Sequence, residues 1–172
     1  MARFWIVVAA ATLSACASSG ATPRPFPLPA GSPLPPPVEA PPEAPAAVLA
    51  ATGYAIVGTA LALRGAPYRN GGTDPSGFDC SGFVQYVFGR HGLAVPRSVG
   101  ELYQAGQVVA TDALEPGDLV FFDTAGGGAS HVGIAVGGEE FVHAPSTRGV
   151  VRVDRIGGAY WSPRFVGARR IT

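Results

Sequence analysis

The stretch His131-Val132-Gly133-Ile134-Ala135-Val136-Gly137-Gly138-Glu139-Glu140-Phe141-Val142-His143 decides the fold. Successive strand side chains point to opposite faces, so Val132, Ile134 and Val136 share one side while His131, Gly133 and Ala135 share the other. The second side carries one functional group and two very small residues. That is a surface onto which a helix can pack, and the helix expected there is the one beginning at Cys80. Gly137-Gly138-Glu139 suits a three-residue hairpin loop. With that loop Val136 faces Glu140, Gly133 faces His143, and the two imidazoles lie on one face. A two-residue loop would shift the parity and send His143 to the wrong side.

Outward from this hairpin, Leu119–Phe122, Val150–Val153 and Arg164–Ala168 also read as strands. Upstream the pattern is helical. Ala47–Arg64 lacks proline, is rich in Ala and Leu, and stops at Gly65. Cys80–Arg90 is apolar at 83, 84, 87 and 88. Ser98–Ala105 is a short third helix, and Pro67–Gly77 is a loop. Helices first and strands later predict an α+β domain, its N-terminal helices packed on an antiparallel sheet of about five strands. Residues 47–172 are enough for one core.

Two further segments precede that domain. Residues 1–15 combine a charge at Arg3 with an apolar run from Phe4 to Leu13. The run is shorter than the roughly 20 residues a bilayer span requires, and it fits the core of a signal peptide. Leu13-Ser14-Ala15-Cys16 resembles the box at which bacterial lipoproteins are cut and lipidated, here on Cys16. An ordinary secretory signal or a buried N-terminal helix is the alternative. Ala17, by resemblance to Gram-negative lipoproteins, favours the outer membrane. Residues 16–46 hold eleven of the 17 prolines. Proline lacks an amide hydrogen and fixes φ, so this segment reads as an extended tether of roughly 3.1 Å per residue. A proline-rich ligand for another protein is its other reading.

Twelve arginines, with no lysine, balance twelve acidic residues. A net charge of zero gives no electrostatic case for nucleic acid. The only cysteines are Cys16 and Cys80, and lipidation of Cys16 would prevent their pairing.

Cys80 lies in Gly77-Phe78-Asp79-Cys80-Ser81-Gly82, between a loop and a helix. At a helix N-terminus free amides and the dipole favour an anion, and the thiol pKa can fall well below its usual ~8.5. Gly77 and Gly82 would admit a substrate to the backbone. A buried, inert cysteine is the alternative. Pairing with His131 makes Cys80 a nucleophile, His131 its base and His143 the group that orients His131. The Cys80 amide and the Tyr68 hydroxyl would stabilise the oxyanion. His91, in Gly89-Arg90-His91-Gly92, reads as a helix-end cation at the surface.

The chain resembles the NlpC-type family of bacterial cell-wall cysteine peptidases. The matching pieces are Gly65-Ala66-Pro67-Tyr68 with Gly71-Gly72, Phe78-Asp79-Cys80-Ser81-Gly82-Phe83-Val84, Val95-Pro96-Arg97-Ser98, Pro116-Gly117-Asp118-Leu119-Val120-Phe121-Phe122, Ser130-His131-Val132-Gly133-Ile134 and Phe141-Val142-His143-Ala144. The resemblance implies a papain-like fold, Cys80, His131 and His143 as catalytic residues, Tyr68 in the active site, and Asp79 and Ser81 as substrate-binding positions. No cofactor and a monomeric catalytic domain are expected. The resemblance also implies a murein peptide substrate, cut between D-glutamate and diaminopimelate or between D-alanine and diaminopimelate. Asp79 as a helix cap and Ser81 as a first-turn polar residue are the structural alternatives. Against the peptidase stand a non-catalytic wall-binding module, an acyltransferase, and a zinc site built from Cys80, His131 and His143. The zinc site lacks an evident water-activating glutamate.

Overall fold

The computed structural model describes residues 45–147 and 149–172. The signal segment, Cys16 and most of the tether lie outside the described residues. Among the described residues three α-helices, α1 (Pro45–Ala62), α2 (Cys80–Gly89) and α3 (Val99–Gln104), accompany eight strands. Strands β1 (Thr73–Asp74) and β2 (Gly77–Phe78) form a small hairpin ahead of α2. The other six are β3 (Gln107–Val109), β4 (Leu119–Phe122), β5 (His131–Gly137), β6 (Glu140–His143), β7 (Arg152–Arg155) and β8 (Phe165–Arg170). They form one sheet in the order β3-β8-β4-β5-β6-β7, antiparallel throughout. The expected α+β arrangement is present, with six strands in the main sheet where about five were expected. The extra strand, β3, pairs with β8 at the sheet edge and is largely exposed. Three residues without apolar–polar alternation give little sequence signal.

Each sheet face has its own cover. Ile56, Val57 and Ala60 of α1 and Phe83, Val84, Val87 and Phe88 of α2 bury Leu119, Phe121, Val132, Ile134 and Val142. Each large apolar side chain so buried contributes about 1.5–3 kcal/mol. On the opposite face Val120, Phe122, Ala135, Phe141 and Ala168 pack beneath Ile156 and Trp161. The helices therefore cover the Val132/Ile134 face, not the His131/Gly133/Ala135 face expected to receive α2. The physical reason is the larger apolar area that valine and isoleucine offer. The small-residue face instead admits bulky aromatic neighbours. A Cβ on Gly133 would lie 2.6 Å from Phe141 Cδ2 and 3.1 Å from His143 Cβ.

Close backbone approach seats α1 against the sheet. A Cβ on Gly53 would lie 2.1 Å from the Pro116 carbonyl oxygen. The turn that Gly53 meets is locked by Asp118, which accepts from Arg170 Nε and Nη2, both at 2.8 Å, and from the Glu115 amide at 2.8 Å. Asp118 is 2% exposed, so this ion pair holds the turn to β8.

The central hairpin departs from the expected loop but keeps its register. Gly137 pairs with Glu140, leaving only two residues in the loop. Alone, that would reverse the parity. The register shifts between Ala135 and Gly137, so Val136 is a bulge residue that restores it: Ala135 faces Phe141 and Ile134 faces Val142. His143 consequently lies on the His131 face, as the three-residue loop had required.

Candidate active site

Strand β5 begins at His131, paired with Phe122 of β4, so its imidazole stands at the end of the sheet. His143 ends β6 and is fully buried; His131 is 7% exposed. The rings meet edge to face, with 2.8 Å between His131 Nε2 and His143 Nδ1. A further contact continues the line: His143 Nε2 lies 3.1 Å from Asp154 Oδ2 on β7. Trp161 Nε1 donates to the same oxygen at 3.1 Å, and Arg152 donates to Oδ1. The indole also stacks on His131 at 5.3 Å and stands edge-on to His143 at 4.9 Å. The His131 face thus receives Trp161 where the sequence suggested α2.

Cys80 is the first residue of α2, as expected, and is a half-buried free thiol. Its sulfur lies near the backbone amides of Val132, the residue after His131, and of Ser81 and Cys80 itself, which act to lower its pKa. The thiol is therefore near the start of β5. Tyr68 is close enough for the charges of Cys80 and Asp79 to act on its hydroxyl.

Asp79 caps α2, accepting from the Gly82 amide at 2.7 Å. Arg97 bridges the first turn, donating to Asp79 Oδ2 at 2.5 Å and Ser81 Oγ at 2.7 Å. Asp79 and Ser81 are thus bound to one guanidinium, whose side chain keeps 38% of its surface exposed. Gly77 and Gly82 do not offer open backbone to a substrate. A Cβ on Gly82 would lie 2.0 Å from the Gly72 oxygen, and one on Gly77 2.6 Å from Arg69 Cβ. Both glycines admit the preceding loop, which braces the thiol. His91, just past the end of α2, is half-buried, and its Nε2 lies 2.8 Å from Thr59 Oγ1 on α1.

Burial sets the protonation states. It pushes His131 down to about 3, helped by the neighbouring His143. His143 falls to about 4 because burial outweighs the favourable hydrogen bond and charge of Asp154. Burial, followed by the Asp79 charge, raises the Cys80 thiol despite its three amide contacts. The sequence expectation of a depressed thiol pKa is therefore corrected. The Asp79 carboxylate already caps α2, so the positive end of the helix is shared with an anion. At neutral pH the resting pair is a thiol and a neutral imidazole. Burial opposes ionisation of Asp79 and Asp154, but hydrogen bonds from Arg97 and from Trp161 and His143, respectively, leave both carboxyls below their usual range.

Asp154, Trp161 and Arg97 had no assigned site role from sequence. Arg97 lies inside a motif already singled out, Val95-Pro96-Arg97-Ser98. Asp154 shares a strand period with Arg152, but nothing in that spacing points to a histidine. A cleft of about 540 Å³, lined in part by Thr147, Arg152, Asp154, Tyr160 and Trp161, opens at the Asp154 end of the line. Among the described residues, no group of three or more His, Cys, Asp or Glu side chains is disposed to hold a metal ion.

A half-buried cysteine at a helix N-terminus, packed on an antiparallel sheet that carries paired imidazoles, defines a papain-like α+β domain. The chain belongs to the NlpC/P60 family, whose profile matches residues 65–170. It is 43% identical over 109 residues to the Escherichia coli murein DD-endopeptidase MepS/murein LD-carboxypeptidase, covering 63% of this chain and 57% of that protein. It is 38% identical over 120 residues to γ-DL-glutamyl hydrolase of Bacillus subtilis, covering 67% of this chain and 29% of that one. The chain thus spans less than two thirds of either relative. An NlpC/P60 family protein from Bacillus cereus, solved by crystallography, superposes with a TM-score of 0.65 at 32% identity, covering 69% of this chain and 39% of that one.

Proposed function

We propose that this chain is a cysteine peptidase that hydrolyses amide bonds in the peptide part of peptidoglycan. The observation that carries the reading is the buried His131–His143 pair, 2.8 Å apart, on the strand whose second residue, Val132, brings its amide near the Cys80 thiol. Neutral histidine is a base and the thiol holds the proton it must take. Cys80 sulfur adds to the carbonyl carbon as its proton passes to His131, and the negative charge moves to the carbonyl oxygen. The Cys80 amide and the Tyr68 hydroxyl are the donors for that oxygen. Protonated His131 then delivers its proton to the departing amine, the C–N bond breaks, and a thioester remains. Water adds to the thioester carbon with His131 as base, and the thiol leaves with its proton restored.

The similarity to a murein DD-endopeptidase and a γ-DL-glutamyl hydrolase supports a substrate containing D-amino acids. Asp79 and Ser81, held by Arg97, whose side chain is 38% exposed, form the polar side of the substrate site. The signal-like N-terminal sequence and the cell-wall relatives support a place in the cell envelope, outside the cytoplasm. A lipid on Cys16 anchors it to the outer membrane, and residues 16–46 form the tether. Among the described residues no helix is long and apolar enough to cross a membrane. Digestion of purified murein with wild type, Cys80→Ala and His131→Ala, followed by fragment masses, tests the reading. Stem-peptide fragments from wild type alone are expected. Equal release by Cys80→Ala overturns the assignment.

A further inference from the structure

We propose that Asp154 is a positioning residue that fixes the tautomers of both imidazoles and so keeps one nitrogen of His131 free to act as base. The proposal rests on the peptidase reading above and adds a fourth member to the line behind Cys80.

The argument is one of donors and acceptors. Arg152 donates to Asp154 Oδ1 and Trp161 Nε1 donates to Oδ2. Guanidinium and indole N–H groups are donors only, so both oxygens are acceptors and the group is a carboxylate. Its depressed pKa agrees. His143 Nε2, 3.1 Å from Oδ2, must then carry the hydrogen and donate it. His143 is neutral at pH 7, so its Nδ1 is a lone pair. The partner at 2.8 Å, His131 Nε2, must therefore be the donor across that contact. A neutral His131 with its hydrogen on Nε2 has an unprotonated Nδ1, and that is the atom able to take the Cys80 proton.

Without the carboxylate the opposite arrangement is equally available. His143 Nδ1–H would donate to His131 Nε2, and His131 would carry its hydrogen on Nδ1, where it accepts nothing. The pair has two tautomeric states, and only one is competent. Trp161 stabilises the choice a second way. It is 8% exposed and covers both rings, stacked on His131 and edge-on to His143, which limits the access of water that could replace the carboxylate as acceptor.

The test uses the full chain with Asp154→Asn and Asp154→Glu. Asparagine keeps the size, but its amide nitrogen can face His143 Nε2 and invert the line. Murein-peptide turnover by Asp154→Asn should lose roughly 10²-fold in kcat, the scale of a misdirected general base, with KM held within about 2-fold. Asp154→Glu, which retains the carboxylate, should recover at least ~10-fold of that loss. Nitrogen-15 imidazole shifts, recorded on Cys80→Ala with and without Asp154→Asn, read the tautomers without any turnover. Nε2–H on both rings is expected with Asp154 present, and Nδ1–H on His143 once it is replaced. Full kcat in Asp154→Asn, or Nδ1–H on His143 with Asp154 present, overturns the proposal. Turnover that survives in Cys80→Ala would instead sink the peptidase reading, and the nitrogen shifts would still decide the tautomers. If Asp154→Asn does not fold, the shifts of the Asp154-containing protein and the kcat of Asp154→Glu settle the question.

Discussion

Lowering the pH from 7 to 5 should destabilise this domain through His131 and His143. His131 and His143 have folded pKa values of about 3 and about 4 against a reference of 6.5. Both are depressed, so the unfolded chain binds protons that the folded chain refuses. Stability is then complete above the unfolded value and falls as pH drops below it, down to the folded values. At pH 5 each ring sits about 1.5 units below its unfolded pKa while remaining neutral in the fold, which costs about 2 kcal/mol. The pair together costs about 4 kcal/mol, a large share of the roughly 5–15 kcal/mol that holds a domain of this size. Asp79, Asp123 and Asp154 have folded values below 3.8 and lose their contribution only at lower pH, so the window from 7 to 5 isolates the histidines. Urea titrations followed by circular dichroism at pH 7, 6 and 5 measure the effect. An NMR titration of the imidazole Cε1 protons assigns it. A free energy that is flat across this range, or either ring titrating near 6.5 in the folded state, refutes the reasoning.

Three other perturbations follow from the packing and the thiol environment. Asp118→Ala removes the buried acceptor of Arg170 and of the Glu115 amide, while Arg170 keeps Glu115 at 2.9 Å, and should cost about 1–3 kcal/mol in chemical denaturation. Gly133→Ala puts a methyl group 2.6 Å from Phe141 Cδ2 and 3.1 Å from His143 Cβ. It should cost about 1–3 kcal/mol in urea denaturation and lower kcat as well, because the displaced ring is the one that orients His131. Iodoacetamide should alkylate Cys80 slowly at pH 7, with a midpoint above the 9.0 of an unperturbed thiol, since burial raises its pKa. Fast alkylation at pH 7 would mean a resting thiolate instead.

Much of the site was legible because its members occupy positions with strong local rules. Cys80 starts a helix after a Gly-rich loop, and the period of two in β5 and β6 puts His131 and His143 on one face. The parity argument reached the right face through the wrong loop, because a bulge at Val136 does the work of a third loop residue. Bulges leave no reliable mark in a run such as Ile-Ala-Val-Gly. The choice of sheet face for α2 went the other way for an energetic reason: small residues permit close packing, but large apolar residues drive it. Asp154 was invisible because its partner lies on a neighbouring strand and its helper, Trp161, on a loop seven residues later. Only the cross-strand pairing of β6 with β7 brings them together.

Mass spectrometry of the acid-quenched protein after brief mixing with a murein peptide tests the role of the thiol most directly. The account predicts an added mass equal to the acyl half of the substrate, mapped to the fragment that contains Cys80 and absent from Cys80→Ala. An adduct on any other residue, with turnover preserved in Cys80→Ala, would contradict it.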